Sequence, residues 1–376
     1  MRASVLLDFC IGAGISFFTG VPDSLLKGLC NELYVRYGTE GDTHVVAHNE
    51  GGAVALCAGH YLASGKPALC YMQNSGLGNA VNPLASLMDR DVYAIPCLLV
   101  IGWRGEPGVS DEPQHVRQGL ITPGQLELLG IPYMILSADT TDDCFQTEFT
   151  RLLTEMEKGR TAAIIVRKGA LRSDADPCYG NAYTMSREDA LRLVLASSGP
   201  EDVFVCTTGK LSREVYELRN AAGQDHTRDF LTVGSMGHAG MIALRIAVEQ
   251  PSRRVWCLDG DGACLMHLGA LPVIGRRNPS NMIHVVIDNG AHESVGGMPV
   301  CSGALDIRAL ASAAGYALVL SADSPESLAD ALRDASCCKS GTVLIRIRCS
   351  CASRADLGRP AESPVENRNA LMSFIR

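Results

Sequence analysis

The sequence predicts an α/β protein made of two similar halves, each a mainly parallel sheet flanked by helices. Three observations carry that prediction. Short apolar runs of strand length alternate with helical patterns along the chain. A unit of Gly-rich loop, small-residue helix, basic turn, strand and second Gly-rich loop occurs as HNEGGAVALCAGHYLASGKPALCYMQNSGLGN and again as SMGHAGMIALRIAVEQPSRRVWCLDGDG. Between the two, residues 173–183 lose all periodicity before a fresh helix start at Ser186. We therefore expect a first domain over 1–172, a linker over 173–185 and a second domain over 186–376.

The elements follow in order. The opening MRASVLLDFCIGAGISFF reads as structure and not as a leader, because Asp8 breaks its apolar run, only Arg2 adds charge and no small-residue cleavage site follows. Strands are predicted over 15–18, 68–72, 98–101 and 162–166, then over 203–206, 255–258, 283–287 and 343–347. No stretch reaches the roughly 18 unbroken apolar residues of a membrane span. Two different Gly-rich loops in a duplicated pair point to a ligand at the carboxyl ends of the strands, where open parallel sheets bind.

Composition narrows the function. With 41 acidic against 33 basic residues the formal charge is −8, which argues against nonspecific nucleic-acid binding. Apolar residues make up 47%, so a packed core is expected and disorder is excluded. Of 15 cysteines, Cys10, Cys30, Cys57, Cys70, Cys97, Cys206, Cys257 and Cys264 lie in apolar runs, where thiols act as small hydrophobes. Cys337, Cys338, Cys349 and Cys351 lack paired C-x-x-C spacing, so reduced thiols in a cytoplasmic protein are the expectation.

The strand at 255–258 ends in Asp259-Gly-Asp261-Gly262-Ala263, and the strand at 283–287 ends in Asp288-Asn289-Gly-Ala291. Asp261 and Asn289 thus sit at two strand ends separated by one helix, predicted over 265–276, and offer hard oxygen donors suited to Mg²⁺. Gly260 and Gly262 let backbone approach a phosphate, and a helix starting near Cys264 would aim N–H groups at it. A bare Gly-Asp-Gly reads as a turn; followed by a strand ending in Asn-Gly it reads as a site.

These residues resemble the motif of the thiamine-diphosphate enzymes, Gly-Asp-Gly followed by a paired Asn-Asn, with Asp288 in place of the first Asn. The resemblance implies two thiamine-diphosphate-binding-fold domains, pyrimidine-binding then diphosphate-binding. It implies Mg²⁺ ligation by Asp261, Asn289 and the Ala291 carbonyl. It places a catalytic glutamate at Glu50, in His48-Asn49-Glu50-Gly51-Gly52, where a helix N-terminal carboxylate is the plainer reading. A carboxylate bonded to N1′ of the aminopyrimidine favours the imino tautomer, whose nitrogen can take the C2 proton when the cofactor is bent. Met236 matches the hydrophobic prop for that bend and Gly234 a backbone acceptor, although an isolated methionine would read as core. By the same likeness Thr208, Gly209, Gly260, Gly262 and Ala263 belong to the cofactor site.

Longer stretches resemble the phosphonopyruvate decarboxylase family, from about residue 5 to about 350: FTGVPDSLLK, YMQNSGLGN, GWRGEPGVSDEPQH and NGAHESVGGMP. The GWRGEPG…DEPQH stretch discriminates best against the related sulfopyruvate decarboxylases, which the resemblance expects to be split into two subunits. Glu293 and Met298 replace the family's Asp and Gln. The implied function is decarboxylation of 3-phosphonopyruvate in phosphonate biosynthesis, with sulfopyruvate or another 2-keto acid as the alternative substrate and a noncatalytic subunit as the distant one. A multiply anionic substrate needs a local basic cluster in an acidic protein. Arg104, His115, Arg117 and Lys27 are the supply, with Arg104 suited to a bidentate hold and otherwise a solvated loop arginine. Ser24 and Asn74 match substrate positions, Ser24 with a helix cap as the alternative. His292 is the candidate proton donor, or a structural histidine. The likeness further implies a homodimer or larger assembly with the cofactor at the subunit interface, and neither nucleic acid nor membrane as a partner.

Overall fold

The computed structural model describes residues 1–293, 297–301, 305–351, 353–354 and 356–376. The chain divides into two compact units, Met1–Cys178 with Val295–Pro299, and Tyr179–Ser294 with Val300–Arg376.

The first unit runs α1 (Ala3–Gly12), β1 (Phe18–Gly20), α2 (Lys27–Tyr37), β2 (His44–Val46), α3 (Glu50–Ser64), β3 (Ala68–Gln73), α4 (Leu77–Ser86), β4 (Cys97–Gly102), α5 (Pro113–Leu128), β5 (Tyr133–Leu136), α6 (Asp142–Glu157) and β6 (Ala162–Val166). The second runs α7 (Arg187–Ala196), β7 (Val203–Cys206), α8 (Lys210–Ala221), β8 (Asp229–Leu231), α9 (Ala239–Glu249), β9 (Val255–Gly260), α10 (Asp261–Met266), α11 (Ala270–Arg277), β10 (Met282–Asp288) and the short β11 (Ala291–His292). The short β12 (Met298–Pro299) belongs to the first unit, and α12 (Ile307–Ala314), β13 (Leu318–Ala322), α13 (Pro325–Cys337), β14 (Val343–Arg348) and α14 (Pro364–Ile375) complete the second.

Each unit holds a six-stranded, all-parallel sheet, in the orders β2-β1-β3-β4-β6-β5 and β13-β14-β10-β9-β7-β8. Counting only the strands of its own sheet, each unit has the order 2-1-3-4-6-5. The sequence-level duplication is therefore a duplication of topology. All eight predicted strands are present; the first lies later than expected, over Phe18–Gly20. Within the two six-stranded sheets, the four strands the sequence did not announce, β2, β5, β8 and β13, are the four edges; the two-residue β11 and β12, outside those sheets, were not announced either. An edge strand buries less of itself, so its apolar signal is short or broken: β13 is mostly half-exposed, whereas every residue of central β10 is buried.

Burial on both faces explains the apolar runs. Along β10, Ile283, Val285 and Ile287 enter one core and Met282 and Val286 the other. Along β7, Phe204 and Cys206 point to the first and Val203 and Val205 to the second. The period-two alternation thus sandwiches the sheet between two helical layers. Helix starts follow capping chemistry: Asn49, Thr141 and Ser186 accept hydrogen bonds from the first turns of α3, α6 and α7, and Ser324 and Ser363 form capping boxes. The helix expected over 265–276 is two helices: α10 starts already at Asp261, and the chain leaves helical geometry at His267. All 15 cysteines are free, and the eight expected in the core are buried.

Asp288, which stands where the resembled motif has Asn, is 5% exposed and accepts from Arg346 Nε at 2.6 Å across the β10–β14 pair. A buried carboxylate of this kind needs its cation. Arg346→Met should lower the unfolding free energy of the second unit by about 3–5 kcal/mol, and the Asp288→Asn/Arg346→Met double variant should recover part of it. Chemical denaturation checks this; a single variant as stable as the parent would show that the pair carries no such constraint.

Candidate active site

The expected site residues gather at corresponding places in the two sheets. Ser24, Glu50, Asn74 and Arg104 follow the carboxyl ends of β1, β2, β3 and β4; Thr208, Gly234, Asp261 and Asn289 follow those of β7, β8, β9 and β10. In a parallel sheet all these ends lie along one edge, so eight positions scattered through the sequence become two clusters.

In the second unit, β9 hands directly to α10 at Asp261, which is 4% exposed. Its Oδ1 accepts from Gly262 N and its Oδ2 from Gly290 N, both at 2.9 Å, so one carboxylate joins the ends of β9 and β10. Asn289, also buried, turns Oδ1 to Ala291 N at 3.1 Å and donates through Nδ2 to Glu293 at 3.2 Å. Its own carbonyl accepts from Asn181 at 2.9 Å. Side chains added at Gly209, Gly260 or Gly290 would meet nothing within 4 Å, so open space fronts the strand ends beside the oxygen donors. Hard oxygens next to room lined by backbone fit a divalent cation with a diphosphate.

The loop 234–237 is wound tightly. Gly234, Ser235 and Gly237 all have positive φ (67°, 52° and 84°), and Ser235 is one of three non-glycine residues in that region among those described. Thr208 Oγ1 fixes this loop by accepting from Gly234 N at 2.9 Å. Met236 reaches back over α10: its Cε lies 3.5 Å from where a Cβ on Gly262 would stand, and His292 Cε1 lies at the same distance. Burial pushes the His292 ring down to about 4, so it is neutral near pH 7.

In the first unit, Glu50 opens α3, with Asn49 as its N-cap. It is 5% exposed, its Oε2 accepts from Asn79 Nδ2 at 2.7 Å, and its Oε1 lies 2.4 Å from the place a Cβ on Gly76 would take. Only glycine at 76 leaves room for that carboxylate. Desolvation raises the Glu50 pKa, opposed by the Asn79 hydrogen bond and by its own backbone amide.

Arg104 is not a solvated loop residue. Its Nε donates to Asp111 Oδ2 at 2.8 Å, Nη2 to Asp111 Oδ1 at 2.5 Å and Nη1 to Ser24 Oγ at 3.0 Å. Asp111 also accepts from Gly105 N and Glu112 N at 2.8 Å each, and these contacts hold its carboxyl well below the usual range despite some burial. Asn74 is fully buried and clamps the Arg104 backbone from both sides, donating to its carbonyl at 2.8 Å and accepting from its amide at 3.2 Å. Ser24 is not a helix cap; that role falls to Asp23, whose Oδ2 accepts from Leu25 N while Oδ1 accepts from Gln73 at 2.7 Å. His115 is 8% exposed with Nδ1 lacking a hydrogen bond, and burial, then the Arg104 charge, lowers its pKa. Arg117 is exposed, and Lys27 pairs with Asp176 at 3.5 Å on the surface.

Sequence reading missed the supports. Asp111, Asp23, Gln73 and Asn79 orient Arg104, Ser24 and Glu50, yet nothing in their spacing marks them. Glu293 was singled out only as a departure; the structure ties it to Arg187 at 2.5 Å and Lys210 at 3.0 Å as well as to Asn289. Met298 is buried against Tyr71, whose hydroxyl donates to its sulfur at 4.0 Å. The run Gly209-Lys210 after a strand was the one available signal for Lys210.

Comparison with known proteins fits this geometry. The thiamine pyrophosphate enzyme N-terminal TPP binding domain family matches residues 2–126, and the C-terminal TPP binding domain family matches residues 207–347. A phosphonopyruvate decarboxylase of Streptomyces viridochromogenes is 35% identical over 99% of this chain and 94% of its own length. A phosphonopyruvate decarboxylase of Streptomyces hygroscopicus is 35% identical over 97% and 92%. A sulfopyruvate decarboxylase of Methanosarcina acetivorans is 30% identical over 85% and 84%; because one chain there spans both halves, possession of both halves does not separate the two activities.

The buried Glu50 has a consequence for the ligand-free protein. Its folded pKa lies above the ordinary 4.5, so the folded state binds more protons and stability falls as pH rises past that value. Glu50→Gln removes the titrating group. Thermal melts of the ligand-free variant at about pH 8 should show a higher midpoint than the parent, the gap closing as pH falls toward the ordinary carboxylate value; a variant less stable at the higher pH would refute the assigned burial cost.

Proposed function

The chain belongs to the thiamine pyrophosphate enzymes, in the family that includes the phosphonopyruvate decarboxylases, and we propose on that footing that it decarboxylates 3-phosphonopyruvate to phosphonoacetaldehyde and CO₂ with thiamine diphosphate. The observation that carries the reading is the Asp261–Asn289 oxygen pair beside open backbone at adjoining strand ends. We place the reaction in phosphonate biosynthesis.

When bound, thiamine diphosphate supplies a carbon nucleophile at C2 and an electron sink for the pair left by CO₂. Asp261, Asn289 Oδ1 and the Ala291 carbonyl would hold Mg²⁺, with Gly209, Gly260, Gly262 and Ala263 leaving backbone room for the diphosphate. Glu50 would hold N1′ of the pyrimidine: a carboxyl group whose pKa is raised by burial shares a proton readily with a ring nitrogen. Met236, stacked over Gly262, is placed to prop a bent ligand, and Gly234 offers the backbone acceptor.

On the substrate side, Asp111 occupies one edge of the Arg104 fork, so phosphonate would be held at the Nη1 edge with Ser24 and His115, while Asn74 positions the arginine backbone. Arg117 and Lys27, both on the surface, are left out of this cluster. His292 would contribute a neutral N–H; an anionic substrate beside it raises its pKa and lets it deliver the product-forming proton. We also propose a homodimer or larger assembly: along α5, Val116, Leu120, Ile121 and Leu128 are exposed, the last at 92%, an apolar stripe in keeping with a second copy. No helix among the described residues is long and apolar enough to cross a membrane.

Turnover of phosphonopyruvate, sulfopyruvate and pyruvate, followed side by side by aldehyde release, tests the assignment. Phosphonopyruvate should have the highest kcat/KM. Arg104→Leu should cut it by about ten- to more than a hundredfold, roughly 1.5–3 kcal/mol for a charge-assisted contact, while pyruvate hardly changes. Preference for sulfopyruvate would overturn the substrate, and an equal fall for both acids would move Arg104 from phosphonate recognition to support of the loop.

A further inference from the structure

The second unit contains a group of ligand-type side chains that the proposed reaction leaves unused. Cys257 and Asp259 are two apart on β9 and therefore share a face of the sheet; His284, on β10, is the register partner of Cys257. All three are buried, at 0%, 2% and 1% exposure, and one donor atom from each lies within 4.8 Å of the other two. They form the one such trio of His, Cys, Asp or Glu among the described residues.

Orientation makes the trio more than a coincidence of packing. His284 Nδ1 is 3.0 Å from the Tyr316 hydroxyl, a bond that turns the other ring nitrogen toward the acid and the thiol. That nitrogen, Nε2, is buried without a hydrogen bond and stands 3.6 Å from Asp259 Oδ2, too far for one. A buried, unpartnered ring nitrogen is costly unless something else meets it. Gly240 of α9 faces this nitrogen: a Cβ there would stand 4.0 Å from Nε2 and 3.3 Å from Ile274 Cδ1, so the absence of a side chain at 240 keeps the approach to the ring clear. Around a tetrahedral Zn²⁺, with bonds of ~2.0–2.3 Å, neighbouring donors sit ~3.3–3.8 Å apart, which spans the observed Nε2–Oδ2 separation.

We propose that Cys257, Asp259 and His284 form a buried structural site for a zinc-class divalent ion, the fourth position being taken by water. The donor set of one thiolate, one imidazole and one carboxylate is borderline-soft, unlike the all-oxygen set at Asp261 and Asn289, and so selects a different metal. On binding, the Cys257 S–H bond breaks, its proton leaves to solvent and the sulfur pair forms the metal bond. Two anionic ligands then balance the dication, and a neutral assembly can stay in the core. With no solvent path at the trio, the ion enters during folding and leaves on unfolding.

The test uses the full chain, expressed once with zinc and once with cobalt supplied, and dialysed against a chelator in the presence of Mg²⁺. One equivalent of zinc per chain is expected by elemental analysis, released on denaturation. The cobalt form is expected to show near-ultraviolet thiolate-to-cobalt absorption, lost in Cys257→Ala and in His284→Gln. Trace metal in the parent protein overturns the proposal even if neither variant folds, and cobalt absorption that survives Cys257→Ala overturns it by assigning the thiolate elsewhere, Cys264 being the nearest alternative on α10.

Discussion

A single carboxylate organises the second unit's chemistry. Asp261 begins α10, bonds its own first turn through Gly262 N and reaches across to Gly290 N, so the ends of two adjacent strands are held together by one side chain. The groups proposed for the metal and the diphosphate gather at that junction: the Asn289 donor, the Ala291 carbonyl and the open fronts of Gly260 and Gly290, with Met236 approaching over Gly262. A buried carboxylate at a helix N-terminus gains from the helix field and from two amide donors, yet keeps acceptor capacity for a cation.

The duplication explains how one sheet order serves two tasks. Both units put their loops at the carboxyl edge of a 2-1-3-4-6-5 sheet. In the first, the edge carries an acid in a desolvated seat, Glu50 against Gly76, and a charged cluster around Arg104. In the second it carries hard oxygen donors and bare backbone.

What could be read from sequence follows from what a sequence displays. Central strands announce themselves because both faces are buried; the edge strands β2, β5, β8 and β13 do not. Residues such as Glu50, Asp261 and Asn289 could be singled out because the resembled motif constrains type and spacing together, and the structure sets each of them after the carboxyl end of a strand. Their supports were not: Asp111 reaches Arg104 only through the fold of a loop, and Asn79 reaches Glu50 only because α3 packs against α4. Thr208 and Asn74 were legible as positions and are occupied locally by backbone hydrogen bonds, to Gly234 and to Arg104. The replacement of Asn by Asp288 became intelligible only once Arg346 stood beside it on β14.

We propose that Asp261 couples the fold of the second unit to a metal-dependent diphosphate site. Calorimetric titration of thiamine diphosphate into the protein, with Mg²⁺ present and with it removed by chelator, tests this most directly when repeated on Asp261→Asn. Binding should require the divalent ion and be lost in the variant while the variant stays folded. Equally tight binding without the ion, or in Asp261→Asn with it, would contradict it.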